Sequence, residues 1–111
     1  MKKNRLFVLS ADAMVTEDVE YLKILPNYQR YLAGGAMVKR VRTIYPTVTY
    51  PCHTSMATGT YPNKHGIYSN FELHVGELKL PWAWFHDSVK VPDIFTAAKK
   101  SALRQQPYFG R

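Results

Sequence analysis

The sequence has one cysteine, few acidic side chains and no long apolar run. Cys52 is the only cysteine among 111 residues, so an internal disulfide is excluded and a reducing compartment is favoured. The apolar run at 6–9 is soon followed by Ser10 and Asp12. It is therefore too short for the core of a signal peptide or for a membrane span. We expect a soluble, cytoplasmic protein.

Acidic residues number 8 against 15 lysines and arginines, which gives a net charge of +7. A basic chain can favour nucleic acid, a membrane surface or a phosphorylated small molecule. However, Arg40 and Arg42 alternate with Val41, and Lys99 and Lys100 fall near a predicted helix end. Because no tight basic cluster exists, a solvated basic surface is favoured, and we predict neither a nucleic-acid nor a membrane partner.

The apolar and turn-forming residues predict an α/β fold. The run at 6–9 is typical of a strand buried on both faces, and residues 36–45 are expected to form a second strand. Asp12 then lies just past a strand's carboxyl end, where open α/β sheets bind ligands. The stretch around Trp82, Trp84 and Phe85 suggests a hairpin or a packed loop.

Prolines and glycines mark three helices between and after these strands. Pro26 and Gly34 bound the first helix, and a short helix of about 52–58 is expected between Pro51 and Gly59. Pro92 opens the last helix. The composition, 46% hydrophobic and 21% charged, is that of an ordinary globular domain.

Several residues could carry chemistry, although each also has a structural interpretation. Thr49 precedes a predicted helix, where it is either an N-cap or a hydroxyl beside an anion site. A free threonine is a poor nucleophile and needs a base or a metal. Asp12 is either a hard metal ligand or a turn residue. His53 and His65 show no zinc-ligand spacing to another histidine.

Three blocks in close succession make these signals specific. They are P-T-V-T-Y-P-C-H at 46–53, T-G-T-Y-P at 58–62 and H-G-I-Y-S-N at 65–70, and an apolar strand ending in Asp12-Ala13 precedes them. Together they resemble the nucleotide pyrophosphatase/phosphodiesterase family of the alkaline-phosphatase-like superfamily. The resemblance extends from about Leu6 to Leu103.

The resemblance implies a fold and a set of roles. The fold would be a mixed, mainly parallel sheet flanked by helices, and the reaction would be hydrolysis of phosphodiester or pyrophosphate bonds in nucleotides. Thr49 would be the nucleophile and would ligate one of two Zn²⁺ ions together with Asp12. Asn70 would hydrogen-bond a phosphate oxygen, and Tyr50 would lie against the leaving portion or base of the substrate.

The sequence departs from the family pattern at several points. Cys52 stands where asparagine is usual, and Ala13 stands where glycine is usual. The resemblance places the remaining metal ligands downstream, so we expect residues 1–111 to be the N-terminal part of a catalytic domain. A one-base frameshift of a family-like strand, R-T-A-A-V-F-W-P, gives the residues at 104–111, which we treat as a candidate frameshifted tail. The alternatives are an inactive remnant and, less favoured, a small basic nucleic-acid-binding module.

Overall fold

The computed structural model describes residues 6–82 and 86–101. The chain divides into two compact units, Met1–Val41 and Arg42–Arg111. Each unit is described by itself below. The residues at 83–85 and 102–111, and with them Trp84, Phe85 and the candidate frameshifted tail, lie outside the described residues.

The first unit contains two short helices, α1 (Thr16–Leu22) and α2 (Pro26–Ala33). The Asp18 carboxylate accepts a hydrogen bond of 2.9 Å from the Val15 backbone N–H, which ties the start of α1 together. Pro26 occupies the first turn of α2 and Gly34 ends the helix, so the helix predicted between them is confirmed. Pro26 costs no hydrogen bond there, because first-turn N–H groups have no partner within the helix.

The two strands predicted at 6–9 and 36–45 are not observed among the described residues. Neither 6–9 nor 36–41 belongs to a β-strand in the described part of the chain, and the side chains of Leu6 to Leu9 are 72–85% exposed. A parallel strand requires neighbouring strands to satisfy its backbone N–H and C=O groups, and the described residues offer none. The same holds for 42–45 in the second unit. The expected sheet therefore stays a prediction.

The second unit is built around α3 (Thr49–Thr58), which packs against α4 (Pro62–His65) and α5 (Ile94–Lys100). Gly59 ends α3 at φ 65°, the left-handed conformation, and its N–H bonds to the Ser55 carbonyl at 2.8 Å. The predicted helix stop at Gly59 is thus confirmed. The helix starts earlier than expected, which places Pro51 at its third position.

Helix α5 is fixed at its start by Asp93. One carboxylate oxygen of Asp93 accepts hydrogen bonds from both the backbone N–H and the hydroxyl of Thr96, each at 2.7 Å. Asp93 is therefore the N-cap of α5, although its place after Pro92 predicts a first-turn residue, and α5 begins two residues after Pro92. Lys99 and Lys100 occupy the last turn, as predicted, where cations suit the helix dipole.

The buried core of the described residues is small and lies in the second unit. Ile67 is its buried hydrophobic residue, at 7% exposure, and His65, Pro51 and Pro62 are buried beside the α3–α4 contact. A further turn of 3₁₀-helix covers His86–Ser88. No helix among the described residues has the length and apolar character needed to cross a bilayer.

Candidate active site

Thr49 is the first residue of α3 and is half-buried. Extended backbone at Val48 leads into the helix, with φ −120° and ψ 159°. Within the described part of the second unit, no protein group hydrogen-bonds to the Thr49 hydroxyl. Pro51 has no N–H, and the Cys52 N–H already bonds to the Val48 carbonyl at 3.1 Å. The Tyr50 N–H donates to the Asn70 side chain, which leaves the Thr49 N–H as the available backbone donor at this end of α3.

Asn70 is held against the start of α3. Its side-chain oxygen Oδ1 accepts a hydrogen bond of 2.8 Å from the Tyr50 backbone N–H. Only the oxygen of the amide can accept from an N–H group, so this contact fixes which way the amide is turned. The Nδ2 donor is consequently directed away from Tyr50 N–H. The structure thus brings Asn70 next to Thr49 and Tyr50, although it follows both by 20 or more positions in the sequence.

Aromatic rings adjoin the same helix start. The rings of Tyr50 and Trp82 have centroids 5.7 Å apart at an interplanar angle of 51°, and those of Phe71 and Trp82 are 4.5 Å apart at 47°. Phe71 and Trp82 form an isolated antiparallel bridge, and the Glu72 N–H bonds to the Pro81 carbonyl at 2.8 Å. The chain therefore closes between 71 and 82, which agrees with the predicted hairpin or packed loop.

Sequence reasoning did not connect Phe71 and Trp82 with Tyr50. The available signal was a pair of large aromatic residues flanking a turn-rich stretch that contains Gly76 at φ 92°. Such a pattern predicts a hairpin but not the surface on which its aromatics pack. Tyr50 precedes both by more than 20 positions, so only the folded chain shows the contact.

His53 also contacts the first residue of α3. Its Nδ1 lies 2.9 Å from the Thr49 carbonyl oxygen. A carbonyl can only accept, so Nδ1 carries the proton in this contact. His53 therefore holds the Thr49 peptide from one turn further along the helix.

His65 and Ser55 lie close together but are not a catalytic dyad. His65 Nε2 is 2.9 Å from Ser55 Oγ, and the Ile67 N–H donates to His65 Nδ1 at 3.1 Å. Because Nδ1 accepts, the neutral ring carries its proton on Nε2 and donates it to Ser55, the reverse of what a general base requires. Burial lowers the pKa of His65 from its ordinary value, which keeps the ring neutral.

Cys52, which replaces the usual asparagine, packs against the segment that precedes α3. Its Sγ lies 3.2 Å from Thr43 Oγ1 and 3.9 Å from the Pro46 carbonyl oxygen. The thiol is half-buried and unpaired with any other cysteine.

Comparison with known proteins decides the family. The family model described as type I phosphodiesterase/nucleotide pyrophosphatase matches residues 6–104. The chain belongs to this family.

Curated relatives show the same relationship. Ectonucleotide pyrophosphatase/phosphodiesterase family member 1 of Homo sapiens is 43% identical over 96 residues, which are 78% of this chain and 10% of the relative. Venom phosphodiesterase 2 of Crotalus adamanteus is 40% identical over 92 residues, 78% of this chain and 11% of the relative. A bis(5'-adenosyl)-triphosphatase of Mus musculus is 37% identical over 68 residues, 60% of this chain and 14% of the relative.

The chain thus spans about a tenth of the length of the type I phosphodiesterase relatives it matches. No solved structure matches it significantly.

Asp12, the other residue that the resemblance assigns to the metal, belongs to the first unit. It is exposed in a turn with Ala13, whose φ is 57°. A glycine adopts this left-handed conformation without the cost that the Cβ of Ala13 imposes. Within 6–82 and 86–101, no three side chains of His, Cys, Asp or Glu come together as metal ligands.

Proposed function

We propose that this chain carries the nucleophile of a type I phosphodiesterase, with Thr49 attacking the phosphorus of a phosphodiester or pyrophosphate bond in a nucleotide. One observation carries the proposal. The Thr49 hydroxyl stands at the start of α3, and Asn70 is fixed on the next N–H of the same helix. The family match across 6–104 and the relatives' names supply the class of substrate.

The reaction has two displacements. In the first, Thr49 Oγ releases its proton to solvent and bonds to phosphorus, while the bond to the leaving oxygen breaks and that oxygen takes a proton from solvent. In the second, water attacks the same phosphorus and restores the threonine hydroxyl. Each displacement concentrates negative charge on the non-bridging oxygens, which donors aimed at those oxygens stabilise.

One hydrogen bond and one helix terminus suit Asn70 and Thr49 to these steps. The 2.8 Å hydrogen bond from Tyr50 N–H holds Asn70 Oδ1, so Nδ2 is the end of the amide that would donate to a phosphoryl oxygen. The Thr49 N–H lies at the N-terminus of a helix of 10 residues, where the dipole favours phosphate. Tyr50 would place its ring beside the portion of the substrate that leaves or carries the base.

The two Zn²⁺ ions implied by the family would take Asp12 and Thr49 as oxygen ligands. Zinc supplies an acid that lowers the pKa of a bound hydroxyl, which is the activation a threonine nucleophile needs. A catalytic zinc, however, has three protein ligands, and the described residues contain no such group. Asp12 and Thr49 alone do not fit a zinc site, so we assign no step to the metal and infer that further ligands are required.

Covalent trapping tests the proposal. The chain would be incubated with bis(p-nitrophenyl) phosphate and Zn²⁺, quenched in acid and digested for mass spectrometry. We expect a p-nitrophenyl phosphoryl group on Thr49 and release of p-nitrophenol. Thr49→Ser should keep the adduct and Thr49→Ala should lose it, whereas Thr47→Ala, at an exposed position outside the helix, should behave as the unchanged chain.

The opposite outcome is equally informative. If the chain is folded by circular dichroism yet gives neither adduct nor p-nitrophenol, it is an inactive remnant of its family. An adduct on another residue would reject Thr49 as the nucleophile.

A further inference from the structure

Three aromatic rings form a continuous group beside the helix that carries Thr49. This aromatic group consists of Tyr50, Phe71 and Trp82. Trp82 is its centre, because it contacts Tyr50 at 5.7 Å and Phe71 at 4.5 Å between ring centroids. Tilted rings at such separations attract each other beyond the area they bury. Phe71 and Trp82 still expose 40% and 43% of their surface, so the group borders solvent.

The segment that contains Asn70 and Phe71 positions both the backbone and the ring of Tyr50. Asn70 accepts the Tyr50 N–H, and the next residue, Phe71, pairs with Trp82, which contacts the Tyr50 ring. The bridge and the Glu72–Pro81 hydrogen bond fix Trp82 relative to Asn70. The phosphate-oxygen donor and the Tyr50 ring are therefore positioned by one connected structure.

We propose that Trp82 is a specificity-determining positioning residue, which holds the Tyr50 ring for stacking against a planar aromatic group of a phosphate ester. This inference rests on the proposed function, because it places the phosphate at Thr49 and Asn70. A half-exposed tyrosine ring without a neighbour samples several rotamers, and ordering it on binding costs free energy. A ring already packed against Trp82 avoids that cost, as preorganised sites do.

The ligand class follows from the two ends of the site. One end offers an amide donor and a helix N-terminus to an anion, and the other offers the faces of the Tyr50, Phe71 and Trp82 rings. Stacking tolerates every base because each has a π-face. Trp82 therefore selects phosphate esters that carry an aromatic group over those that do not, with little preference among bases.

Calorimetric titration of the whole chain with two probes tests this inference. AMP carries a phosphate and a base, whereas ribose 5-phosphate carries the phosphate and sugar alone. We expect AMP to bind about tenfold more tightly, within the range of one stacking contact. Trp82→Ala should remove most of that preference and leave the affinity for ribose 5-phosphate unchanged. Trp82→Phe, which keeps a ring between Tyr50 and Phe71, should retain it.

A spectroscopic signal completes the experiment. The chain has two tryptophans, so Trp84→Phe leaves Trp82 as the single emitter. AMP should change the emission of Trp82 in this variant by altering the ring it contacts, and ribose 5-phosphate should not.

The possible failures are distinguishable. If both probes bind equally, or if Trp82→Ala weakens both to the same degree, the inference is overturned while phosphate binding at Thr49 and Asn70 stands. If Trp82→Phe loses the preference as completely as Trp82→Ala, the ring contact is not the cause and the inference also fails. If neither probe binds the folded chain, the proposed function and this inference are both rejected for it.

Discussion

Among the individual residues, Asn70 has two roles: its side-chain oxygen stabilises the start of α3, and its side-chain nitrogen is the candidate donor to phosphate. Its Oδ1 caps the Tyr50 N–H at 2.8 Å, and its Nδ2 is the candidate phosphate donor. Asn70→Asp keeps an oxygen for the cap and adds a charge that suits a helix N-terminus, but it removes the donor and repels phosphate. Asn70→Ala removes both the cap and the donor.

The pair of variants therefore separates stability from binding. We expect Asn70→Ala to lower the free energy of unfolding by about 1 kcal/mol, as the loss of a cap does. Asn70→Asp should unfold at the same urea concentration as the unchanged chain, yet both variants should lose AMP binding. Urea unfolding followed at 222 nm and calorimetric titration measure the two effects. Retained AMP binding in Asn70→Asp would contradict the donor role.

His65 makes the stability of the second unit depend on pH. Burial lowers its pKa in the folded chain below the ordinary 6.5, whereas the unfolded chain keeps the ordinary value. Below pH 6.5 the unfolded state therefore binds more protons, so the contribution of His65 to the free energy of unfolding is full above that pH and is lost as pH falls.

Urea unfolding at a series of pH values from 8 to about 5 tests this dependence. His65→Gln should be less stable than the unchanged chain at pH 8, because its Nε2 and Nδ1 hydrogen bonds are altered, but its stability should fall less steeply as the pH is lowered. An unchanged slope in His65→Gln would assign the pH dependence to other groups.

At the scale of the elements, two glycines that end helices differ in what they require. Gly59 ends α3 at φ 65°, whereas Gly34 ends α2 at φ −109°, a conformation open to any residue. An added Cβ meets no atom within 4 Å at either position, so the comparison isolates the backbone conformation.

We expect Gly59→Ala to lower the free energy of unfolding by about 1 kcal/mol, and with it the midpoint of thermal unfolding, because alanine resists the left-handed region. Gly34→Ala should be neutral or slightly stabilising, since it restricts the unfolded chain without straining the folded one. Thermal unfolding followed at 222 nm compares the two variants. Equal losses of stability in both variants would show that the positive φ of Gly59 is not the reason for glycine at that position.

The ends of the helices were easier to predict from the sequence than the strands of the expected sheet. Pro26, Gly34 and Gly59 act through their own backbone geometry, which needs no distant partner, and the structure confirms their positions. Asp93 caps α5 for the same local reason. The strands expected at 6–9 and 36–45 depend on neighbouring strands, so an apolar run alone could not guarantee them.

For the whole molecule, the outstanding feature is how much apolar surface the described residues leave in contact with water. Leu6 to Leu9 form an unbroken exposed run in the first unit, and the buried core of the second is small. Exposed apolar runs of high β-propensity promote association between chains. We therefore expect the chain to self-associate at high concentration.

Phe7→Lys combined with Leu9→Lys should reduce that association, which light scattering across a concentration series measures. Leu73→Lys combined with Leu78→Lys adds the same charge at two other exposed leucines and serves as the matched control. The control should scatter as the unchanged chain does, because those leucines flank a turn and do not form a continuous run. Equal reductions in both would attribute the effect to net charge.

The sequence by itself determined the family through its motif blocks and several helix ends through the backbone geometry of proline and glycine, and the resemblance to the family implied Thr49 as the nucleophile candidate. The blocks at 46–53, 58–62 and 65–70 carried the family, which the match over 6–104 confirms. Only the tertiary structure decided that Asn70 Oδ1 meets the Tyr50 N–H, that Trp82 packs on the Tyr50 ring and that His65 donates to Ser55. These contacts join residues that are distant along the chain, and their partners and tautomers depend on packing, which no local pattern encodes.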